Sequence, residues 1–244
     1  MATFTIKHDF VTLSVSDNSQ MSAYTAIPTN IEEPMPGLIV FQEAFGVNTH
    51  IRNITDRFAA LGFVAIAPEL FHRTAPKGFA GSYTDFAAVA PHMQSMTDNG
   101  LEADILATWE WLRNQPYVKP EQISCIGFCM GGRVSFLANT LLPFKSAISY
   151  YGGRIAPDLV KYANKLHAPM LFFWGGLDKH ISKEQIESVT SALDMENKPY
   201  TNVKFSYTDH GFNCDERASF NEKASKEAWS LTLAFLKAEN QVPV

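Results

Sequence analysis

The chain is poor in cysteine. It has three in 244 residues, Cys125, Cys129 and Cys214. So few cannot build a disulfide framework, and they suit a reducing cytoplasm in which a thiol stays free. Positive charge is also short. A net charge of -5 argues against nucleic acid or an anionic membrane as the main partner. No apolar run is long enough to span a bilayer. Met1 to Lys7 shows no basic stretch followed by a hydrophobic one, so no signal peptide is expected. His8, His50, His72, His92, His167 and His180 show no paired spacing with cysteines or carboxylates, so no metal site is expected. Repeats, low-complexity segments and linkers are missing too. One domain over 1–244 is expected, and its 46% hydrophobic content can fill a sizeable core.

What is there is organised around Ile123-Ser124-Cys125-Ile126-Gly127-Phe128-Cys129-Met130-Gly131-Gly132. The run up to Phe128 reads as a buried strand. Val134, Phe136, Leu137 and Ala138 read as the apolar side of a helix. A strand that turns into a helix through G-x-C-x-G-G is the pattern of a nucleophile elbow. Bulk beside the turn would clash, so Gly127 and Gly131 are expected to serve by lacking side chains. The helix start would aim free N–H groups at the sulfur and favour thiolate. The competing reading is a small buried cysteine in a tight turn.

Around this stretch, strand and helix patterns alternate. Residues 2–27 predict two or three antiparallel strands, with a turn at Asp17-Asn18. Continuous apolar runs at 37–42, 63–68, 146–152 and 169–175 predict buried strands, and Val203, Phe205 and Tyr207 alternate as the last one. Between them lie helical patterns: one capped by Asn48 or Thr49, one with Asn99 and Glu102 in capping-box spacing, one capped by Ser182 with Gln185, and a closing helix from Ala224 to Leu236. The fold class is therefore α/β, with a mostly parallel central sheet covered by helices on both faces. Residues 69–98 lack strong periodicity and read equally as a lid or as a packed insertion.

In such a sheet, ligands bind at the carboxyl ends of the strands. The 169–175 strand runs into Gly176-Leu177-Asp178, and the last strand into Asp209-His210-Gly211. Cys129, Asp178, His210 is then nucleophile, acid, histidine, the chain order of α/β-hydrolases. His210 would take the thiol proton and Asp178 would fix its tautomer. Asp209 ranks second as the acid, because a direct neighbour must curl back to meet the ring. The oxyanion hole is expected from the N–H groups of Met130 and Ala44. Cys125 reads as core; Cys214 is left open.

These residues, from Gln42-Glu43-Ala44-Phe45-Gly46 to His210-Gly211-Phe212, resemble the dienelactone hydrolase (carboxymethylenebutenolidase) family. The resemblance implies the α/β-hydrolase fold and a Cys129/His210/Asp178 triad. It also implies a Glu43 that contacts the resting thiol, ester or lactone hydrolysis through a thioester, and no cofactor. The family uses arginines to hold the substrate carboxylate. Here residues 79–98 contain no Arg, so Arg73 and Arg217 are the candidate substitutes, with Tyr151 as a third substrate-binding residue. The partner expected is a small ester or lactone, acted on by a cytoplasmic monomer or homodimer. A thioesterase, a general carboxylesterase, and a non-catalytic or redox-sensing member of the fold share these features.

Overall fold

The structure is a computed structural model and describes residues 4–240, so the start of the Met1–Lys7 stretch lies outside the described residues. The chain forms two compact units, 1–124 and 125–243.

The first unit begins with a hairpin. Strand β1 (Ile6–Ser14) pairs antiparallel with β2 (Gln20–Pro28), and the turn is closed around Asn18 at φ 66°. β2 runs antiparallel to β4 (Val64–Pro68), and β4 parallel to β3 (Met35–Phe41), in the order β1-β2-β4-β3. Leu38, Ile39, Val40 and Phe41 are wholly buried, as a two-sided strand requires. Helix α1 (Thr49–Ala60) starts where Asn48 accepts the Ile51 N–H at 3.2 Å and turns Ile51, Ile54 and Phe58 inward.

The connection at 69–98 carries a helix that its composition hides, α2 (Phe86–Ser95), with Pro91 inside it and Val89 as its buried residue. Val89 packs on Ala44 and Phe45, with Phe79, Tyr83 and Met93 around them. Helix α3 (Asp98–Arg113) starts two residues earlier than the capping box predicts. Its cap is Thr97, whose hydroxyl accepts the Gly100 N–H at 3.1 Å. A threonine already satisfies that orphan donor, so Asn99 is free to be an ordinary helical residue.

Strand β5 runs from Val118 to Phe128. Its start lies before Ile123, in Lys119-Pro120-Glu121, an unburied stretch that a search for apolar runs misses. In the second unit α4 (Met130–Leu141), β6 (Ala147–Tyr150), β7 (Met170–Gly175), α5 (Lys183–Met195), β8 (Tyr200–Phe205) and α6 (Glu222–Asn240) follow. The order is β5-β6-β7-β8, every neighbouring pair parallel. The expected capping box of α5, Ser182 with Gln185, is present in both directions. β8 stops at Phe205, short of the predicted Tyr207, because its partner β7 ends at Gly175 opposite it. Phe172, Phe173, Trp174 and Tyr150 fill the core between sheet and helices. Among the described residues, no helix is long and apolar enough to cross a membrane.

Candidate active site

β5 ends at Phe128 and α4 begins at Met130, so Cys129 alone makes the turn. Its backbone stands at φ 55°, ψ -115°, a region an L-residue occupies at a cost of about 1–3 kcal/mol. The surroundings hold it there. Cys129 N–H donates to the Tyr150 carbonyl at 3.0 Å, and Gly132 N–H donates back to the Cys129 carbonyl at 3.0 Å. A Cβ on Gly127 would collide with the carbonyl of Gly131 and lie 2.8 Å from Ser135 Oγ. Gly127 thus meets the steric pressure expected of it, and Gly132 meets it too. A Cβ on Gly132 would stand 2.7 Å from the Gly152 Cα.

Two loops bring the other groups to the sulfur. His210 Nε2 lies 3.0 Å from Cys129 Sγ, and His210 Nδ1 lies 2.7 Å from Asp178 Oδ2. The other oxygen, Asp178 Oδ1, accepts the N–H of His180 at 2.7 Å and of Ile181 at 3.2 Å. Asp209, the second-ranked acid, turns its Oδ1 to the backbone N–H of His210 at 2.6 Å rather than to the ring. The loops lie directly on each other. A Cβ on Gly176 would come 2.5 Å from the Ser206 Cα, and one on Gly175 2.8 Å from the Thr208 carbonyl. Gly175-Gly176 was the readable signal for this contact, and sequence reasoning passed over it.

Burial works against a charged His210, which is 8% exposed. The negative charge on the Cys129 sulfur, together with the hydrogen bonds to Asp178 and to that sulfur, outweighs burial and raises the imidazole to about 10. The charged imidazolium is thus favoured at His210. Burial pushes the Cys125 thiol up as well, above the usual thiol range, in keeping with a core role. Cys214 is also buried, and free of any disulfide.

Tyr151 stands at φ 38° and is fully buried, with its ring 5.1 Å from that of His210 and 5.3 Å from Phe212. It forms a wall against the imidazole. On another side the exposed His180 ring lies 5.2 Å from His210, edge to face. The guanidinium of Arg217 lies against Gly211, where φ is +77° and a Cβ would strike it. Arg217 thus belongs to the loop that carries His210.

The remaining candidates lie in the first unit. Glu43 follows β3, is fully buried, and its Oε2 accepts the Tyr83 hydroxyl at 2.7 Å. Ala44 beside it is 2% exposed. Arg73 is engaged by two carboxylates. It forks onto the buried Asp104 at 2.8 and 2.9 Å and donates through Nε to Asp17 at 2.8 Å. Its donors are taken up in holding the 69–98 connection to α3 and to the β1–β2 turn.

A strand that turns through the strained Cys129 into a helix, with Asp178 after β7 and His210 after β8, is the arrangement of the α/β-hydrolase fold. A solved structure from Klebsiella pneumoniae subsp. pneumoniae, provisionally described as a dienelactone hydrolase, matches with a TM-score of 0.86 and 30% identity, over 95% of this chain and 98% of that one. Residues 21–240 match the dienelactone hydrolase family. A Synechocystis protein provisionally named carboxymethylenebutenolidase is 35% identical over 97% of this chain and 99% of its own. An Escherichia coli K12 protein with the same provisional name is 34% identical over 91% of this chain and 84% of its own. The chain belongs to the dienelactone hydrolase family and is a hydrolase.

Proposed function

We propose that this enzyme hydrolyses small carboxylic esters or lactones through a thioester on Cys129. What carries the reading is the continuous line Sγ–Nε2 at 3.0 Å and Nδ1–Oδ2 at 2.7 Å, ending on a buried carboxylate. The thiolate attacks the substrate carbonyl, and the electron pair moves onto the carbonyl oxygen. The N–H groups of Met130 and Ala44 are the donors assigned to that oxyanion. When the tetrahedral adduct collapses, the C–O bond to the alcohol breaks and His210 gives its proton to the departing alkoxide. For a lactone, this alcohol stays tethered to the acyl group. His210, now neutral, takes a proton from water, and the hydroxide attacks the thioester. Collapse releases the carboxylic acid and returns thiolate and imidazolium. Asp178 keeps the Nδ1–H tautomer throughout.

Glu43 is assigned the part that the family resemblance implies, contact with the resting thiol before substrate binds. For substrate, the curated relatives' name points to a butenolide ring bearing a carboxymethylene group. With Arg73 engaged by Asp104 and Asp17, Arg217 is the arginine assigned to an acidic substituent. Small neutral or mono-anionic esters and lactones fit best.

The test is a screen of wild type and Cys129→Ala across lactones, aryl esters and thioesters, with mass spectrometry of the quenched enzyme. An acyl adduct on the Cys129 peptide is expected in wild type only. Turnover that persists in Cys129→Ala would remove the thioester from the mechanism.

A further inference from the structure

The geometry points to Tyr83 as a positioning residue for Glu43, through a directed hydrogen-bond relay Asn48→Tyr83→Glu43; this rests on the role proposed above for Glu43. Three distances define it. Asn48 Nδ2 lies 2.9 Å from the Tyr83 hydroxyl, and that hydroxyl lies 2.7 Å from Glu43 Oε2. Asn48 Oδ1 accepts the Ile51 N–H at 3.2 Å as the cap of α1.

The direction of the relay follows from chemistry. With Oδ1 committed to the helix cap, the amide presents its NH2 to Tyr83. The tyrosine oxygen accepts there, so its single proton points to Glu43. One Glu43 oxygen is therefore held by a neutral donor that is itself held, and the helix cap sets the orientation of both.

Packing keeps the hydroxyl in place. The Tyr83 ring lies 4.5 Å from the Phe45 ring, inside the cluster of Ala44, Val89, Phe79 and Met93. The segment carrying it is stitched to the turn after β3. Gly46 bridges Ala80, and Gly81 N–H donates to the Phe45 carbonyl at 2.9 Å. Gly46 is at φ +80°, and a Cβ there would strike the Phe79 carbonyl, so the two stretches of backbone lie in direct contact. The 69–98 connection thus reaches Glu43 through one oxygen, and a ligand that shifts this connection shifts Tyr83 with it.

The experiment is a double-mutant cycle on a neutral aryl acetate. Wild type, Tyr83→Phe, Glu43→Gln and the double variant are compared by kcat, KM and the pH profile of kcat/KM. Tyr83→Phe keeps the ring on Phe45, so its melting temperature should stay within about 3 °C of wild type. It should lower kcat about tenfold with KM within about twofold, and shift the pH profile in the same direction as Glu43→Gln. In the Glu43→Gln background it should add less than about twofold. Asn48→Asp keeps the cap oxygen and loses the donor, so it should lower kcat in the same sense as Tyr83→Phe. Losses that multiply in the double variant, or a wild-type profile for Tyr83→Phe beside an altered one for Glu43→Gln, would overturn the relay alone. A silent Glu43→Gln would remove Glu43 from the mechanism, and the relay with it.

Discussion

Asp178 divides its two oxygens between two jobs: Oδ2 takes the Nδ1 of His210 at 2.7 Å, and Oδ1 takes two backbone N–H groups from its own loop. The carboxylate cannot swing without breaking that loop. Asp178→Asn presents either an amide NH2 to Nδ1, which reverses the tautomer, or an oxygen there and donors facing donors on the loop. Turnover of an aryl acetate should fall by roughly 10²–10⁴. Asp209→Asn keeps its oxygen for the His210 N–H and should cost less than about tenfold. A larger loss for Asp209→Asn would name it the acid.

Alkylation should distinguish the three thiols. Cys129 is partly exposed beside the His210 imidazole, while Cys125 and Cys214 are buried. Limiting iodoacetamide should label Cys129 first, as read by peptide mass spectrometry, and activity should disappear in step. Label on Cys125 or Cys214 in an enzyme that stays active would overturn the elbow assignment.

The His210 shift has a consequence for stability against pH. Its folded value is raised to about 10 from an ordinary 6.5. A raised value means that the folded state binds the proton more tightly. The stabilisation is fully present below about pH 6.5, shrinks above it, and is gone once pH passes about 10. Urea unfolding at pH 6.5 and pH 10 should show a loss on the order of a few kcal/mol in wild type. His210→Gln should show much less of it. Equal losses in both proteins would place the pH dependence elsewhere.

Gly127→Ala and Gly78→Ala separate steric from backbone demand. Gly127 faces the Gly131 carbonyl, whereas Gly78, at φ +77°, has no atom within 4 Å of an added Cβ. Gly78→Ala should cost about 1 kcal/mol, from backbone preference alone. Gly127→Ala should cost about 3 kcal/mol or more, or prevent folding. Similar melting temperatures for the two variants would mean that the elbow relaxes around the new carbon.

The two arginines should behave differently. Arg73→Gln leaves Asp104 buried with half its partners gone, so melting temperature should fall while KM holds. Partial exposure of Arg73 keeps the loss to about 2 kcal/mol. Arg217→Ala should raise KM for acidic esters and leave neutral aryl acetates nearly unchanged. An acid-selective rise in KM from Arg73→Gln, at unchanged stability, would reverse the assignment.

Strands with continuous apolar runs were legible because burial on both faces leaves no room for polar residues, as at Leu38 to Phe41. The places of Cys129, Asp178 and His210 behind strand ends were legible too, since order along the chain and position after a strand end are one-dimensional facts. What escaped depends on contacts distant in sequence. No local pattern pairs Arg73 with Asp104, and no local pattern shows that Gly132 faces Gly152. Helix α2 escaped because its one buried residue, Val89, gives no periodicity to find. The Asn99 cap failed for a simpler reason. Two neighbouring residues could cap, and only the backbone at Thr97 is extended.

The strained turn at Cys129 is built by Gly127, Gly132 and the Tyr150 carbonyl, none of which touches the side-chain chemistry of the tip. Sulfur and oxygen are thus interchangeable there as far as the scaffold is concerned. What changes is the resting proton inventory. A hydroxyl would carry no charge at neutral pH, so the sulfur's share in raising the His210 value would be absent while that of Asp178 remained. An elbow of this kind constrains the backbone at the tip and leaves the choice of reactive element to the side chain alone.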